Sequence, residues 1–313
     1  MMQIFVILTV LVLFYLLGKA ADLVILNIRE IGEKLGIGTF FLGILLGFLT
    51  SLPELSLGIN AIINNVQAVS LGNLFGGIIV LFGLILGISL VLNRKIKTNG
   101  EVMEYAMVVV YIFFPLFMGL DGKLGFVDGL ILVAVYFYLL YMFYIKHKNH
   151  NVLELDINRR NHVLKKCLLI LAGLVSVIII SSWIIKLFIF LLNDFNYSIF
   201  LIGLILFSLG TNLPELIVVI RSYHGHIKEL AISNLIGSAM ANVMMIGMFA
   251  SIKPFSIEVN ISYYALMFFT VLLLVSFLVF YRSDNALSRR EGFALIGVYI
   301  IFLIIQSKFL VGA

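Results

Sequence analysis

Two six-residue segments hold the chemistry of this chain. Thr50-Ser51-Leu52-Pro53-Glu54-Leu55 recurs as Thr211-Asn212-Leu213-Pro214-Glu215-Leu216, an offset of 161 residues (215 − 54). At the same offset Asn73 matches Asn234 and Gly76 matches Gly237. One gapless register thus joins two separated motifs, which chance rarely produces. A proline inside a helix removes one backbone hydrogen bond and crowds the carbonyl four residues earlier. Pro53 and Pro214 are therefore expected to free oxygens around Leu49 and Gly210, and a carboxylate follows each proline directly. Thr50, Ser51, Thr211 and Ser238 add hydroxyls. Carboxylate, carbonyl and hydroxyl oxygens together suit hard cations: Ca²⁺, Na⁺ and, less readily, Mg²⁺. All five histidines and the single cysteine, Cys167, lie outside the motif segments, which disfavours soft transition metals. Met240, Met244 and Met245 flank the second motif and read as packing.

The elements that hold these residues must lie in a membrane. The 313-residue chain is 62% hydrophobic and 12% charged, where a soluble domain carries roughly twice that charge. Apolar stretches of about 20 residues cross the hydrocarbon core. Ten are expected, near 3–26, 38–64, 68–92, 101–120, 125–146, 164–192, 198–221, 229–251, 260–281 and 291–311. The first lacks a basic leader and stays apolar through Leu26, so it reads as a spanning helix, not a cleaved signal. Loops after the odd-numbered spans carry 16 basic residues, against only Lys123, Lys253 and Lys308 on the other side. By the positive-inside rule this predicts a multi-pass cell-membrane protein with both termini outside. The net charge of +5 is then a topology signal, and no nucleic-acid partner is implied.

The long polar loop at the middle of the chain divides it into residues 1–146, a cytoplasmic linker 147–163, and residues 164–313. The linker histidines His147, His150 and His162 show no metal-ligand spacing. Five spans per half is an odd number, so the second half enters the bilayer upside down. The fold class is an all-α membrane protein of ten transmembrane helices in two inverted five-helix repeats, the arrangement that places a transport site at the repeat interface. Of 16 acidic residues, Glu54 and Glu215 alone lie deep within the expected spans, with no basic residue nearby in their own spans. A buried carboxylate without a partner costs several kcal/mol unless it is protonated or meets a cation. A protonated pair gluing helices together would leave the proline breaks unexplained. The second motif element, Gly72-Asn73-Leu74-Phe75-Gly76-Gly77 and Ser233-Asn234-Leu235-Ile236-Gly237-Ser238, is rich in small residues that let helices approach closely. Its asparagines are suited to bonding the broken backbone.

With both elements in both halves, the chain resembles the cation/Ca²⁺ exchanger superfamily, especially microbial sodium/calcium exchangers. The resemblance covers all ten spans and is most specific over 43–87 and 203–247. It implies a central cation site on spans two, three, seven and eight, and exchange of Ca²⁺ against Na⁺ by alternating access. It implies Glu54 and Glu215 as the shared carboxylates, with Thr50 and Thr211 around Ca²⁺. Ser51, Ser238 and the backbone of Gly47 match oxygen donors for Na⁺. Departures from the family pattern are Gly77 for a serine, Leu81 for an asparagine, Asn212 for a serine and Asn242 for an acid. The polar shell is thus thinner on the first-half side, and the alternatives are a proton-coupled cation (Ca²⁺/H⁺) antiporter on the same fold or a transport-impaired relative. No nucleophile–base pair or zinc ligand set lies in the spans, so no enzymatic activity is expected, and no cofactor or protein partner is implied. The expected partners are small inorganic cations and the lipid bilayer.

Overall fold

The structure is a computed structural model and describes residues 2–34, 39–98, 102–146, 157–192, 199–224, 228–283 and 286–310. It is mostly helical, because lipid offers no partner for a backbone N–H or C=O and a helix satisfies its own. Among the described residues nine helices are long and apolar enough to cross a membrane. The expected first span falls on a further helix, α1 (Met2–Lys34). Then follow α2 (Thr39–Thr50) and α3 (Leu52–Ile63), which share one span, and α4 (Gln67–Ile79), which runs through a π-helical turn at Val80–Ile85 into α5 (Leu86–Asn93). The first half ends with α6 (Met103–Met118) and α7 (Phe126–Lys146). In the second half α8 (Ile157–Leu192) comes first. Next is a span built from α9 (Ile199–Ile202), a π-helical turn at Gly203–Phe207, α10 (Ser208–Thr211) and α11 (Leu213–His224). Three long helices close the chain: α12 (Lys228–Ile252), α13 (Ile261–Arg282) and α14 (Arg289–Leu310).

Residues 147–156 of the expected linker lie outside the described residues, and 157–163 are helical in continuity with α8. The polarity of Arg159, Arg160 and Asn161 ends a membrane span but does not end a helix. His162 therefore sits on α8, not in a loop.

The prolines act differently from a simple kink. Each helix stops, one residue turns, and a new helix starts with the proline in its first turn, where a missing N–H costs nothing. The turning residues are repeat mates with the same backbone geometry: Ser51 at φ −84°, ψ 14° and Asn212 at φ −84°, ψ 11°. Leu49 O and Gly210 O then have no N–H four residues on, because proline stands there.

Four spans form the centre. The spans at Gln67–Asn93 and Leu230–Ile252 are each 83% enclosed and those at Phe40–Ile63 and Phe200–Ile220 67%, against 19–44% for the other five. These are the four that carry the motifs. They cross-pack between halves, α2 against α12 and α4 against the Ile199–Phe207 segment. Small residues make this possible. A Cβ on Gly237 would fall 2.7 Å from Ile44 Cα, and one on Gly76 would fall 2.8 Å from the Leu204 carbonyl carbon. α1 packs mainly on α8, through a small separate cluster of Leu17, Ala20, Val177 and Ile184 reached by Leu52.

Two short antiparallel sheets tie the halves at opposite ends of the bundle. Strand β1 (Lys95–Lys97) pairs with β4 (Ala286–Ser288), and β2 (Lys123–Leu124) pairs with β3 (Phe255–Ser256). Each sheet takes one strand from each half. β1 and β3 follow spans matched by the repeat offset, as do β2 and β4.

Because the obstructing atoms are backbone, Gly237→Ala and Gly76→Ala must push central helices apart. Each is expected to destabilise the protein by about 1–3 kcal/mol, read as a lower melting temperature in detergent. Alanine at Gly297, which has nothing within 4 Å of its would-be Cβ, should leave it unchanged.

Candidate cation site

Glu54 and Glu215 sit in the first turns of α3 and α11. The unsatisfied N–H groups at a helix start carry partial positive charge and favour a carboxylate there. Both side chains are fully buried, and no other Asp, Glu, Lys, Arg or His is buried among the described residues. The two lie close enough to feel each other's charge. Each has the threonine of the opposite half beside it, Thr211 by Glu54 and Thr50 by Glu215.

Around Glu215 the oxygens are ordered by hydroxyls. Ser238 Oγ lies 3.1 Å from both Glu215 Oε1 and Gly47 O, so its single proton serves one of them at a time. Ser51 Oγ is 2.9 Å from Gly47 O and 3.4 Å from Glu215 Oε1. Thr50 Oγ1 donates to Gly47 O at 3.1 Å and lies 3.3 Å from Ser238 Oγ. Gly47 O thus gathers three hydroxyls from two helices. The close approach of Gly47 to Asn234 and Ser238, which leaves no room for a Cβ, brings this about.

Around Glu54 the repeat mates behave differently. Asn212, the mate of Ser51, donates its Nδ2 to Ser208 O at 2.8 Å, not to the carboxylate. Gly77, the mate of Ser238, has no side chain. The nearest atoms to its would-be Cβ are Asn242 Nδ2 at 2.7 Å and Asn212 Nδ2 at 3.1 Å. Three departures from the family pattern therefore meet at one spot. The fourth, Leu81, is fully buried in the apolar core on the first π-helical turn. Glu54 is left without a hydrogen-bond partner on either oxygen.

Further buried atoms share that condition: Glu215 Oε2, Asn212 Oδ1, Asn234 Oδ1 and both amide atoms of Asn242. Buried polar atoms are nearly always bonded, so a cluster of unpartnered atoms, most of them oxygens, is a candidate place for a bound cation or water. The carboxylates, hydroxyls, Gly47 O and the amide oxygens supply the oxygen donors that a hard cation prefers.

Of the residues expected from sequence, Gly47, Thr50, Ser51, Ser238 and Glu215 converge directly, Thr211 stands by Glu54, and Asn212 meets Asn242 at Gly77. The asparagines of the second motif element do not bond the broken backbone. They bond threonines across the halves: Asn234 Nδ2 donates to Thr50 Oγ1 at 3.4 Å, and Thr211 Oγ1 donates to Asn73 Oδ1 at 3.1 Å. Sequence reasoning missed Ser208, the mate of Gly47, whose carbonyl holds Asn212. The offset of 161 residues carried that signal.

Comparison with known proteins agrees with this picture. The profile of the family described as sodium/calcium exchanger protein matches residues 5–145 and 165–308. The sodium/calcium exchanger MaX1 of Methanosarcina acetivorans is 23% identical, over 92% of this chain and 95% of its own. The inner membrane protein YrbG of Escherichia coli is 27% identical over 45% of this chain and 43% of its own. Among solved structures, the sodium-calcium exchanger NCX_Mj soaked with 100 mM Na⁺ and 10 mM Sr²⁺ superposes with a TM-score of 0.76. It is 21% identical, over 96% of this chain and 98% of that one. That likeness establishes the fold.

Ser238→Ala removes a hydroxyl that lies within bonding distance of both Glu215 Oε1 and Gly47 O and donates to one at a time. Loss of one charge-assisted hydrogen bond costs about 1.4 kcal/mol, or about tenfold in binding. The Ca²⁺ concentration giving half-maximal thermal stabilisation is expected to rise by about that factor. An unchanged midpoint would mean that Ser238 serves helix packing alone.

Proposed function

Given that the chain belongs to the sodium/calcium exchanger family, we propose that it is a secondary antiporter exchanging Ca²⁺ for Na⁺ across the cell membrane by alternating access. The observation that carries this reading is the pair of fully buried glutamates on repeat-mated helix starts, enclosed by oxygens that lack partners. A site of that kind is stable when a cation fills it and costly when it stands ionised and empty. Glu54 and Glu215 are proposed as the shared carboxylates. Thr50, Thr211, Ser51, Ser238, Asn212, Asn242 and the backbone of Gly47 are proposed as the surrounding ligand shell.

The proposed architecture is ten transmembrane helices in two inverted repeats, residues 1–146 and 164–313, joined by a cytoplasmic linker at 147–163. Three observations support it. Ser51 and Asn212 share their backbone geometry. The threonine–asparagine bonds are exchanged between halves. The two sheets pair mated strands crosswise. Both termini are proposed to lie outside. Consistent with the basic face being a single face, Lys166 pairs with Glu30 at 2.7 Å, and Lys146 pairs with Glu104.

A second reading, with H⁺ as the coupling ion, is favoured by one feature. The Glu54 side keeps Thr211 but lacks the two serine hydroxyls of its counterpart, since Gly77 and Asn212 stand where Ser238 and Ser51 stand on the other side. An imposed Na⁺ gradient and an imposed pH gradient, each tested for driving ⁴⁵Ca²⁺ into proteoliposomes, separate the two.

Glu54→Gln and Glu215→Gln are each expected to abolish Ca²⁺ transport while leaving the fold intact, because the amide is isosteric and removes a buried charge. Transport near the wild-type rate in either variant would end the shared-site reading. For the topology, the exposed native Cys167 is first replaced by serine. A cysteine at Asn64 or Lys253 should then label from outside intact cells, and one at Arg94 only after permeabilisation. The reverse pattern would invert the assignment.

A further inference from the structure

Polar atoms also lie buried away from the glutamates. Ser89 and Asn93 on α5 and Ser222 on α11 are buried, and Ser89 Oγ, Asn93 Oδ1 and Ser222 Oγ have no hydrogen-bond partner. Asn93 is held by its Nδ2, which donates to Ser89 O at 2.9 Å and leaves Oδ1 over. Helical phase turns the three toward one seam. Ser222 follows Glu215 by seven residues, so it falls on the same face of α11, about 10 Å further along. On α5, Gly87 abuts Gly292 and Ile296 of α14. At about 100° per residue, Ser89 and Asn93 point roughly 200° and 240° round from Gly87. They therefore face away from α14 and toward α11 and α12, which pack on α5 as well. Both α5 and α11 run from the level of the glutamates toward the face that carries Arg94.

The repeat shows this seam to be one-sided. At the offset of 161 residues the mates of Ser222, Ser89 and Asn93 are Ala61, Ala250 and Pro254, none with a polar side-chain atom. On that side Phe249 closes on Gly58, whose would-be Cβ falls 2.0 Å from the ring. Ser70 is the buried hydroxyl left beside Gly58. Asp22 on α1 does not join the seam. It stands one turn beyond Gly18, which abuts Ile217, and Ile217 lies on another face of α11 from Glu215 and Ser222.

Resting on the exchange reading above, we infer that Ser89, Asn93 and Ser222 form a second, weaker cation site on the Arg94 side of the glutamate pair. The exchanged ion halts there on its way to or from Glu215. Two hydroxyls and an amide oxygen are hard-cation ligands. With no carboxylate among them they bind weakly and leave the ion part of its water. A stopping place needs that weakness, because an ion held too tightly does not move on. The opposite route, with alanine, alanine and proline at the matched positions, offers no such halt.

The test measures exchange of ⁴⁵Ca²⁺ for unlabelled Ca²⁺ by the full-length protein in right-side-out and inverted membrane vesicles. Ca²⁺ is varied on one face at a time, and the cysteine labelling above identifies the Arg94 face. Ser222→Ala and Ser89→Ala each remove one neutral oxygen ligand. Each should raise half-saturating Ca²⁺ on the Arg94 face by about fivefold and leave the opposite face unchanged. Asn93→Asp puts a carboxylate in the same outline and should lower it on that face by about tenfold. Equal shifts on both faces would mean that the three side chains act through packing. No shift on either face would mean that they hold water only. Each of these results overturns the inference. If Asn93→Asp does not fold, the two alanine variants decide. Wild type that exchanges no ⁴⁵Ca²⁺ counts against the exchange reading itself and takes this inference with it. Wild-type exchange with unshifted or two-sided variants counts against the second site alone.

Discussion

Two carboxylates buried together, with no basic side chain beside them, are the constraint on which this structure turns. In a medium of low dielectric such a pair repels, and desolvation adds to the cost. The surrounding architecture answers that problem. Each glutamate stands at the start of a fresh helix, where N–H dipoles favour negative charge, and each is placed there by a proline that starts the helix without a lost bond. The four most enclosed spans wrap the pair. Close helix crossings at glycine bring carbonyl and hydroxyl oxygens within reach of the pair.

Much of this was written in the sequence. The gapless register between Thr50–Leu55 and Thr211–Leu216 located both glutamates, both helix breaks and the hydroxyls beside them. The scarcity of charge fixed the membrane class, and the apolar runs set the central spans to within a few residues. What stayed hidden depends on which faces meet in space. The pairing of Asn73 and Asn234 with threonines of the opposite half arises from the crossing of α4 and α12 with their partners, which no local pattern records. Strands of two or three residues show no periodicity, so the sheets at Lys95–Lys97 and Lys123–Leu124 carry no sequence signal. The start of α8 at Ile157 was missed because polarity and helix propensity are separate properties.

Symmetry in the backbone and asymmetry in the side chains coexist here. Ser51 and Asn212 turn the chain by the same angles, yet one gives a hydroxyl to the shared oxygens and the other gives an amide to Ser208 O. Both π-helical turns border the Glu54 side, at Val80–Ile85 and at Gly203–Phe207, while the matched segments on the other side are regular helix. An inserted residue changes the phase of the helix beyond it. The two sides of a duplicated site have thus diverged in ligand chemistry while the scaffold that presents them stayed alike.

The crosswise strands also bear on how the molecule is made. Ser238 reaches Gly47 across 191 residues of sequence, and strand β1 waits for β4, which follows α13. Insertion proceeds from the N-terminus, so the ribosome delivers α1 to α7 before a single residue of Glu215's half exists. Glu54 enters the bilayer ahead of every group that will later share its site. Contacts so distant in sequence are slow to close, so the proposed cation site cannot be complete until α12 is in place. Biogenesis of this protein has its most exposed moment between the synthesis of α3 and that of α12, when a lone carboxylate in lipid depends on the insertion machinery for shelter.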